Sequence, residues 1–180
     1  MKQRVIIFEG PDGCGKSNIA SALSGILEVP TFKNEAEWEH FPKGEKTDYF
    51  LNAIRFAHPH LLEYFRQTKT SVILDRAYPS ELVYSKIFGR NTDMKALRHC
   101  DDVCASMGAK IIIPHRTSYS NVTDQFDFVD ENLLNSVHDG YMNHFLKWTK
   151  CEVHLLNVDD EDLSREVSDI LQFIGETNVN

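Results

Sequence analysis

The sequence predicts a three-layer α/β fold, a central parallel sheet of about five strands with helices on both faces. Three observations predict it. Short apolar runs recur along the chain at Val5-Ile6-Ile7-Phe8, Val72-Ile73-Leu74 and Ile111-Ile112-Ile113. They are continuous rather than alternating, as strands buried on both faces must be. Segments of helical period separate them, so helical crossovers join the strands and make them parallel.

The first strand ends at Glu9, and Gly10-Pro11-Asp12-Gly13-Cys14-Gly15-Lys16-Ser17 follows before a helix opens at about Asn18. This is G-x-x-x-x-G-K-[ST] between a strand and a helix, the context in which the motif binds phosphate. Its glycines let backbone N–H groups curl around a polyphosphate, and the helix N-terminus adds partial positive charge. Gly10, Asp12, Gly13, Cys14, Gly15, Lys16, Ser17 and Asn18 form the expected cradle for ATP. Lys16 reaches the β- and γ-phosphates, and the Ser17 hydroxyl completes a Mg²⁺ shell.

Ile19, Leu23, Ile26 and Leu27 continue that helix to Val29-Pro30, and Thr31-Phe32-Lys33 reads as a short second strand. Residues 34–47 are polar, with Pro42 and Gly44, and read as a surface loop over a site. A helix is expected from about Asp48 to Arg66, with Phe50, Leu51, Ile54, Leu61, Leu62 and Phe65 as its apolar face. Pro59 should kink or break it. The strand Ser71–Arg76 delivers Asp75 and Arg76 at its C-terminal end. Helices near 79–88 and 93–107 follow, the second stopped by Gly108, and then a strand over 109–113 ended by Pro114.

His115 to Asp130 is polar and aperiodic and reads as a flap. Glu131 to Trp148 returns to helical spacing through Leu134, Val137, Tyr141 and Phe145, with Tyr141 and Phe145 read as core. Val153–Val158 is the last strand and Asp162–Ile174 the closing helix, begun by acidic residues that suit its N-terminus. Residues 1–180 are expected to form a single domain, with the flap over about 115–130.

Ligands in such sheets bind beyond the C-terminal strand ends, where Asp75, Arg76 and the flap gather with the phosphate loop. A carboxylate there holds a Mg²⁺-bound water or orients the accepting group, and a neighbouring Arg clamps an anionic substrate. Ser17 and Asp75 are thus the expected metal residues, with Lys16, Asp75 and Arg76 in catalysis.

The net charge of −8 argues against broad attraction to DNA or anionic lipid. No apolar run reaches the ~18 residues of a membrane span, and the N-terminus enters a strand directly, with no signal peptide apparent. Cys14, Cys100, Cys104 and Cys151 form no C-x-x-C and no disulfide framework, which predicts a reducing, cytoplasmic setting. Cys100 and Cys104 read as packed thiols. His58 and His60 flank Pro59 with no third ligand evident and read as structural.

Three motifs stand in order: F-E-G-x-D-x-x-G-K-S at Phe8–Ser17, A-x-R at Ala53-Ile54-Arg55, and D-R-x-x-x-S-x-x-x-Y at Asp75, Arg76, Ser80 and Tyr84. On them the chain resembles the thymidylate kinase family of P-loop nucleoside monophosphate kinases, most closely from residue 4 to 90. The resemblance implies the P-loop kinase fold, ATP and Mg²⁺, and a deoxynucleoside monophosphate acceptor of the thymidylate-like pyrimidine class. It implies that Asp12 lies near the sugar and phosphate of the acceptor, that Arg76 clamps that phosphate, that Tyr84 lines the sugar and base pocket, and that Arg55 faces the base. It also implies a homodimer, and the short body and flap look like the bacteriophage branch.

The departures are specific. Leu51 stands where the family stacks an aromatic on thymine, with Phe50 one place away. The R-E-P-G-G-T-like segment after the second strand is missing, and Lys33 is the nearby cation that replaces it or stands solvated. Gly13 stands where some members carry a catalytic Arg in the phosphate loop. Such members supply Arg from the flap, which makes Arg116, the one Arg of this flap, the candidate for stabilising charge on the transferring phosphoryl group. Tyr119, Phe126 and Phe128 of the flap close over adenine or pin the flap to the body.

Two other readings stay open. One is a kinase acting on a hydroxymethylated pyrimidine (5-hydroxymethyluracil) flipped out of DNA, with Lys33, Lys43, Lys46 and Arg55 along a strand-binding groove. The other is a nucleotide-binding module without catalysis.

Overall fold

A computed structural model of the chain describes residues 3–33, 46–120, 122 and 130–176. Of the surface loop expected at 34–47, residues 34–45, with Lys43, lie outside the described residues, as do Phe126 and Phe128, while residues 46 and 47 already belong to a helix. Strand β1 (Val5–Phe8) is buried throughout and occupies the centre of a five-stranded sheet. The order is β2 (Thr31–Lys33), β3 (Val72–Asp75), β1, β4 (Lys110–His115), β5 (Glu152–Asn157), and every pairing is parallel. The predicted sheet of about five parallel strands is therefore present, with β1 between its nearest neighbours β3 and β4.

Alternation along the strands divides the core into two layers. Val5, Ile7, Val72, Leu74, Ile111 and Ile113 pack on one face with α3 (His58–Thr68), α4 (Tyr78–Ile87) and α5 (Met94–Ser106). Ile6, Phe8, Ile73 and Ile112 pack on the other with α1 (Lys16–Leu27) and α8 (Leu163–Ile174). Each such side chain contributes about 1.5–3 kcal/mol when fully buried, which is why β1, β3 and β4 carry unbroken apolar runs. Burying both faces is what the continuous apolar runs encode.

The long helix does not stop at Pro59. It runs as α2 (Lys46–Asn52), a π turn (Ala53–Ala57) and α3. The His58 N–H reaches back five residues to the Ala53 carbonyl, and Pro59 enters at the first turn of α3. The widened turn accommodates a residue that has no N–H to donate and would crowd the carbonyl four positions back. A second π turn (Tyr141–Phe145) joins α6 (Glu131–Gly140) to α7 (Leu146–Trp148).

Pro114, expected to end its strand, lies inside β4 opposite Leu156 of β5. Glu9 N–H donates to the Ile112 carbonyl at 2.9 Å, and pairing with β1 stops at Ile112. The edge of Pro114 that lacks a donor therefore faces the side where β1 has already ended, and no ladder bond is lost.

Register aligns the strand ends. Phe8 lies opposite both Asp75 and Ile112, so the residues just beyond them, Glu9, Arg76 and the close of β4, meet at one edge. Among the described residues no helix is long and apolar enough to cross a membrane.

Candidate active site

The phosphate loop leaves β1 over the end of β4. Gly10 has φ 121°, and a Cβ there would lie 2.8 Å from the Pro114 carbonyl oxygen, so only glycine allows the passage. Gly13 has φ 75°, and a Cβ there would fall 2.1 Å from Val122 Cγ1, so the described part of the flap rests on this bare position. Gly15 caps α1 with no side-chain hydrogen bond, leaving first-turn N–H groups for a ligand.

Lys16 is buried, and its ammonium donates to the Pro11 carbonyl at 2.5 Å and lies 3.7 Å from the Asp12 carboxylate. Burial, with the Arg76 charge beside it, brings its pKa down to about 8. Ser17 follows in the first turn of α1, and its hydroxyl donates to Asp75 Oδ2 at 2.6 Å. Two hard oxygen donors thus stand together where the loop meets β3. Among the described residues no group of three or more His, Cys, Asp or Glu could hold an ion alone. The pair fits Mg²⁺, which keeps waters and takes one or two protein oxygens together with phosphate oxygens.

Arg76 follows β3 directly, with its N–H on the Phe8 carbonyl at 3.0 Å and a left-handed φ of 69°. Its guanidinium donates to Asp12 Oδ1 and, at 3.1 Å, to Ser80 Oγ, and lies 5.5 Å from the centre of the Tyr84 ring. The Tyr84 hydroxyl closes the group by donating to Asp12 Oδ2 at 3.1 Å. Ser80 and Tyr84 present one face of α4 because they are four residues apart. Burial would raise the Asp12 pKa, but the Arg76 and Lys16 charges outweigh it and hold it below the ordinary value.

Glu9 was part of the first motif but had no assigned role. It is fully buried and accepts from Ala77 N–H at 2.6 Å, Ser80 Oγ–H at 2.6 Å and the Tyr141 hydroxyl at 2.7 Å. Burial pushes its pKa up against the opposing effect of Arg76 and these donors. The available signal was a charged residue closing a wholly buried strand. Tyr141 is core as read, yet its hydroxyl reaches this site, which helical spacing had no means of showing.

Arg116 stands at the end of β4 beside the loop. Its Nε–H donates to the Gly13 carbonyl at 3.2 Å and its Nη2–H to Glu161 Oε1 at 2.7 Å. A cavity of about 560 Å³ opens there, lined by Gly13, Arg116, Thr117, Ser118, Ser120, Val122, Asp159 and Glu161. Tyr119 is buried under it, its hydroxyl accepting the Arg116 N–H at 3.2 Å and lying 3.1 Å from His138 Nδ1.

The remaining expected site residues have other surroundings. Arg55 Nε–H donates to Asp93 Oδ2 at 2.9 Å, at the N-terminus of α5. Leu51 is half-buried on α2, and Phe50 beside it has the Arg90 guanidinium 4.2 Å from its ring centre. Lys33 ends edge strand β2 opposite Asp75, exposed, and Asn18 is exposed on α1. Cys14, Cys100, Cys104 and Cys151 are all buried free thiols.

No protein-family model and no curated protein matches the sequence. Solved structures match along nearly the whole chain. The YorR protein of Bacillus subtilis, in complex with phosphorylated GDP, matches with TM-score 0.65 and 22% identity over 94% of this chain and 95% of that one. Thymidylate kinase from Ehrlichia chaffeensis matches with TM-score 0.67 and 16% identity over 97% and 100%. Deoxyadenosine kinase from M. mycoides matches with TM-score 0.56 and 15% identity over 96% and 99%. At such identities the likeness is one of fold, and with the loop and sheet described above it establishes that the chain has the P-loop kinase fold.

Proposed function

We propose that the protein is a kinase that transfers the γ-phosphoryl group of ATP to a deoxynucleoside monophosphate of the thymidylate-like pyrimidine class. The observation that carries the reading is Arg76, braced by Asp12 and Ser80 one loop away from Lys16. A guanidinium held by short polar side chains at the edge of a phosphate loop is suited to take a second, acceptor phosphate. The fold is shared with thymidylate kinases and deoxyadenosine kinase, which supports a kinase.

In this reading residues 10–18 cradle ATP, and Lys16 neutralises its terminal phosphates. Ser17 and Asp75 would hold Mg²⁺, which when bound would offset phosphate charge as a Lewis acid. Arg76 aligns the acceptor phosphate for in-line attack, while Asp12 and Tyr84 border its sugar. Leu51, Arg55 and Lys33 belong to the acceptor side. Arg116 leaves Glu161 to meet the transferring group as the flap, about 115–130, closes and excludes water. The chain works as one domain.

The test is an acceptor screen with γ-labelled ATP and Mg²⁺. It offers dTMP, dUMP, hydroxymethyl-dUMP, dCMP, the purine monophosphates, and DNA containing thymine or hydroxymethyluracil. Label in a free pyrimidine monophosphate is expected. Label in a purine monophosphate alone would replace the base, and label in DNA alone would replace the acceptor class. ATP binding without transfer to any of them would leave a nucleotide-binding module.

A further inference from the structure

Glu9 and Tyr141 belong to neither half of the mechanism above, yet they occupy its centre. Glu9 follows β1 fully buried, and its carboxylate accepts three hydrogen bonds: from Ala77 N–H to Oε1, and from Ser80 and Tyr141 to Oε2. Arg76 Nη1 lies 4.0 Å from that same Oε2. Glu9 is therefore the buried counter-ion of Arg76, lying by Nη1 while Asp12 takes Nη2. A buried carboxylate in this position needs every one of its donors.

Two local exceptions bring the Tyr141 hydroxyl there. Gly140 packs α6 against α4 so closely that a Cβ would fall 2.6 Å from Val83 Cγ1. Tyr141 then opens the π turn, with the Leu146 N–H reaching five residues back to its carbonyl. A ring needed only for packing would carry no hydroxyl that has to be satisfied in the core. One turn earlier on α6, His138 touches Tyr119, whose hydroxyl takes the Arg116 N–H. The same helix thus contacts the start of the flap with one residue and the acceptor side with another.

We propose that Tyr141 is a positioning residue for acceptor recognition: its hydroxyl holds the Glu9 carboxylate in the place from which Glu9 orients the Arg76 guanidinium. The proposal rests on the reading of Arg76 as the clamp on the acceptor phosphate. Without the hydroxyl, Glu9 loses one of three donors, and Arg76 is drawn toward Asp12 and away from the incoming phosphate.

Tyr141→Phe tests it, because the ring and its edge contact with Phe145, centroids 5.9 Å apart, are retained. The acceptor KM should rise about tenfold, the scale of a lost hydrogen bond to a charged group, with the ATP KM unchanged. The acid limb of acceptor kcat/KM should also move to higher pH, since a carboxylate that loses a donor takes a proton more readily. The groups facing Glu9 are Arg76, Ser80, Tyr84 and Tyr141. None of these titrates in the acid range, and the Arg76 and Lys16 charges hold the Asp12 carboxyl below its ordinary value, whereas burial pushes Glu9 up. In an Arg76→Ala background the substitution should have no further effect on acceptor use.

An unchanged acceptor KM and acid limb, with or without a fall in Tm, would make Tyr141 a packing residue and overturn the proposal. Should Tyr141→Phe fail to fold, 3-fluorotyrosine at position 141 reads the same contact by fluorine NMR. Its resonance should move on binding the acceptor, and indifference to the acceptor overturns the proposal. A wild type that neither binds nor phosphorylates any mononucleotide removes the kinase reading and the proposal together. Normal wild-type turnover with an unaltered Tyr141→Phe removes the proposal alone.

Discussion

Ser17 Oγ–H donates to Asp75 Oδ2 at 2.6 Å, joining the first turn of α1 to the end of β3 across 58 residues of chain. Neither residue has this partner in the sequence; the parallel register of β1 with β3 supplies it. If the pair holds Mg²⁺, Asp75→Asn should raise the Mg²⁺ concentration needed for half-maximal activity about 10–100-fold, the usual cost of losing a group that supports a metal site. ATP binding without Mg²⁺ should stay as in wild type. A Mg²⁺ titration of initial rates checks this, and an unshifted midpoint would place the ion elsewhere.

Arg76 holds its guanidinium by a fork of contacts that lysine cannot reproduce. Arg76→Lys keeps a cation opposite the buried Glu9, which Arg76→Ala would leave unpaired at a cost of about 3–5 kcal/mol. Acceptor kcat/KM is expected to fall about 10²-fold in Arg76→Lys, with the dissociation constant for ATP within about threefold of wild type. Equal losses for both substrates would show that Arg76 serves the nucleotide loop as a whole.

Lys16 titrates at about 8 in the free protein, against an ordinary value of 10.5, because it is buried beside Arg76. A bound polyphosphate favours the charged form and lifts the pKa again. Below pH 8 the ammonium is already present and affinity is flat. Above it, binding must take up a proton, so the dissociation constant for ATP should rise toward tenfold per pH unit. Calorimetry from pH 7 to 9.5 reads both affinity and proton uptake. Lys16→Met should bind weakly at every pH and remove the slope.

Arg116 is ion-paired to Glu161 and hydrogen-bonded to the Gly13 carbonyl, so it must exchange partners to reach a phosphoryl group. If it stabilises the transfer, Arg116→Ala should lower kcat about 10³-fold or more, with a much smaller change in the ATP KM. A rise in the ATP KM with kcat unchanged would confine it to lining the cavity beside Gly13. Single-turnover rates separate the two outcomes.

Gly140→Ala should move the end of α6 away from α4, since the added Cβ meets Val83 Cγ1. Tm should fall by several degrees, the equivalent of about 1–3 kcal/mol for overpacking. Thermal unfolding followed by circular dichroism checks it, and an unchanged Tm would mean that the two helices separate freely.

By itself the sequence determined the features whose signals are local. Strands buried on both faces carry continuous apolar runs, so β1, β3 and β4 were legible, and the glycines, Lys16 and Ser17 marked the phosphate loop by spacing alone. Asp75 and Arg76 were legible as the charged end of an apolar run. Where several local effects competed, the reading was coarser than the fold: Pro59 did not break its helix, which widens into a π turn just before it, and Pro114 continued its strand because β1 had already ended beside it. The tertiary structure alone decided which distant side chains meet. Glu9 with Tyr141, Arg116 with Glu161, and Tyr119 with His138 lie 132, 45 and 19 residues apart. Such pairs are set by how helices dock on a finished sheet, and docking depends on the summed packing of both layers. Arg55 with Asp93, 38 residues apart, is another such pair, which no local signal announced.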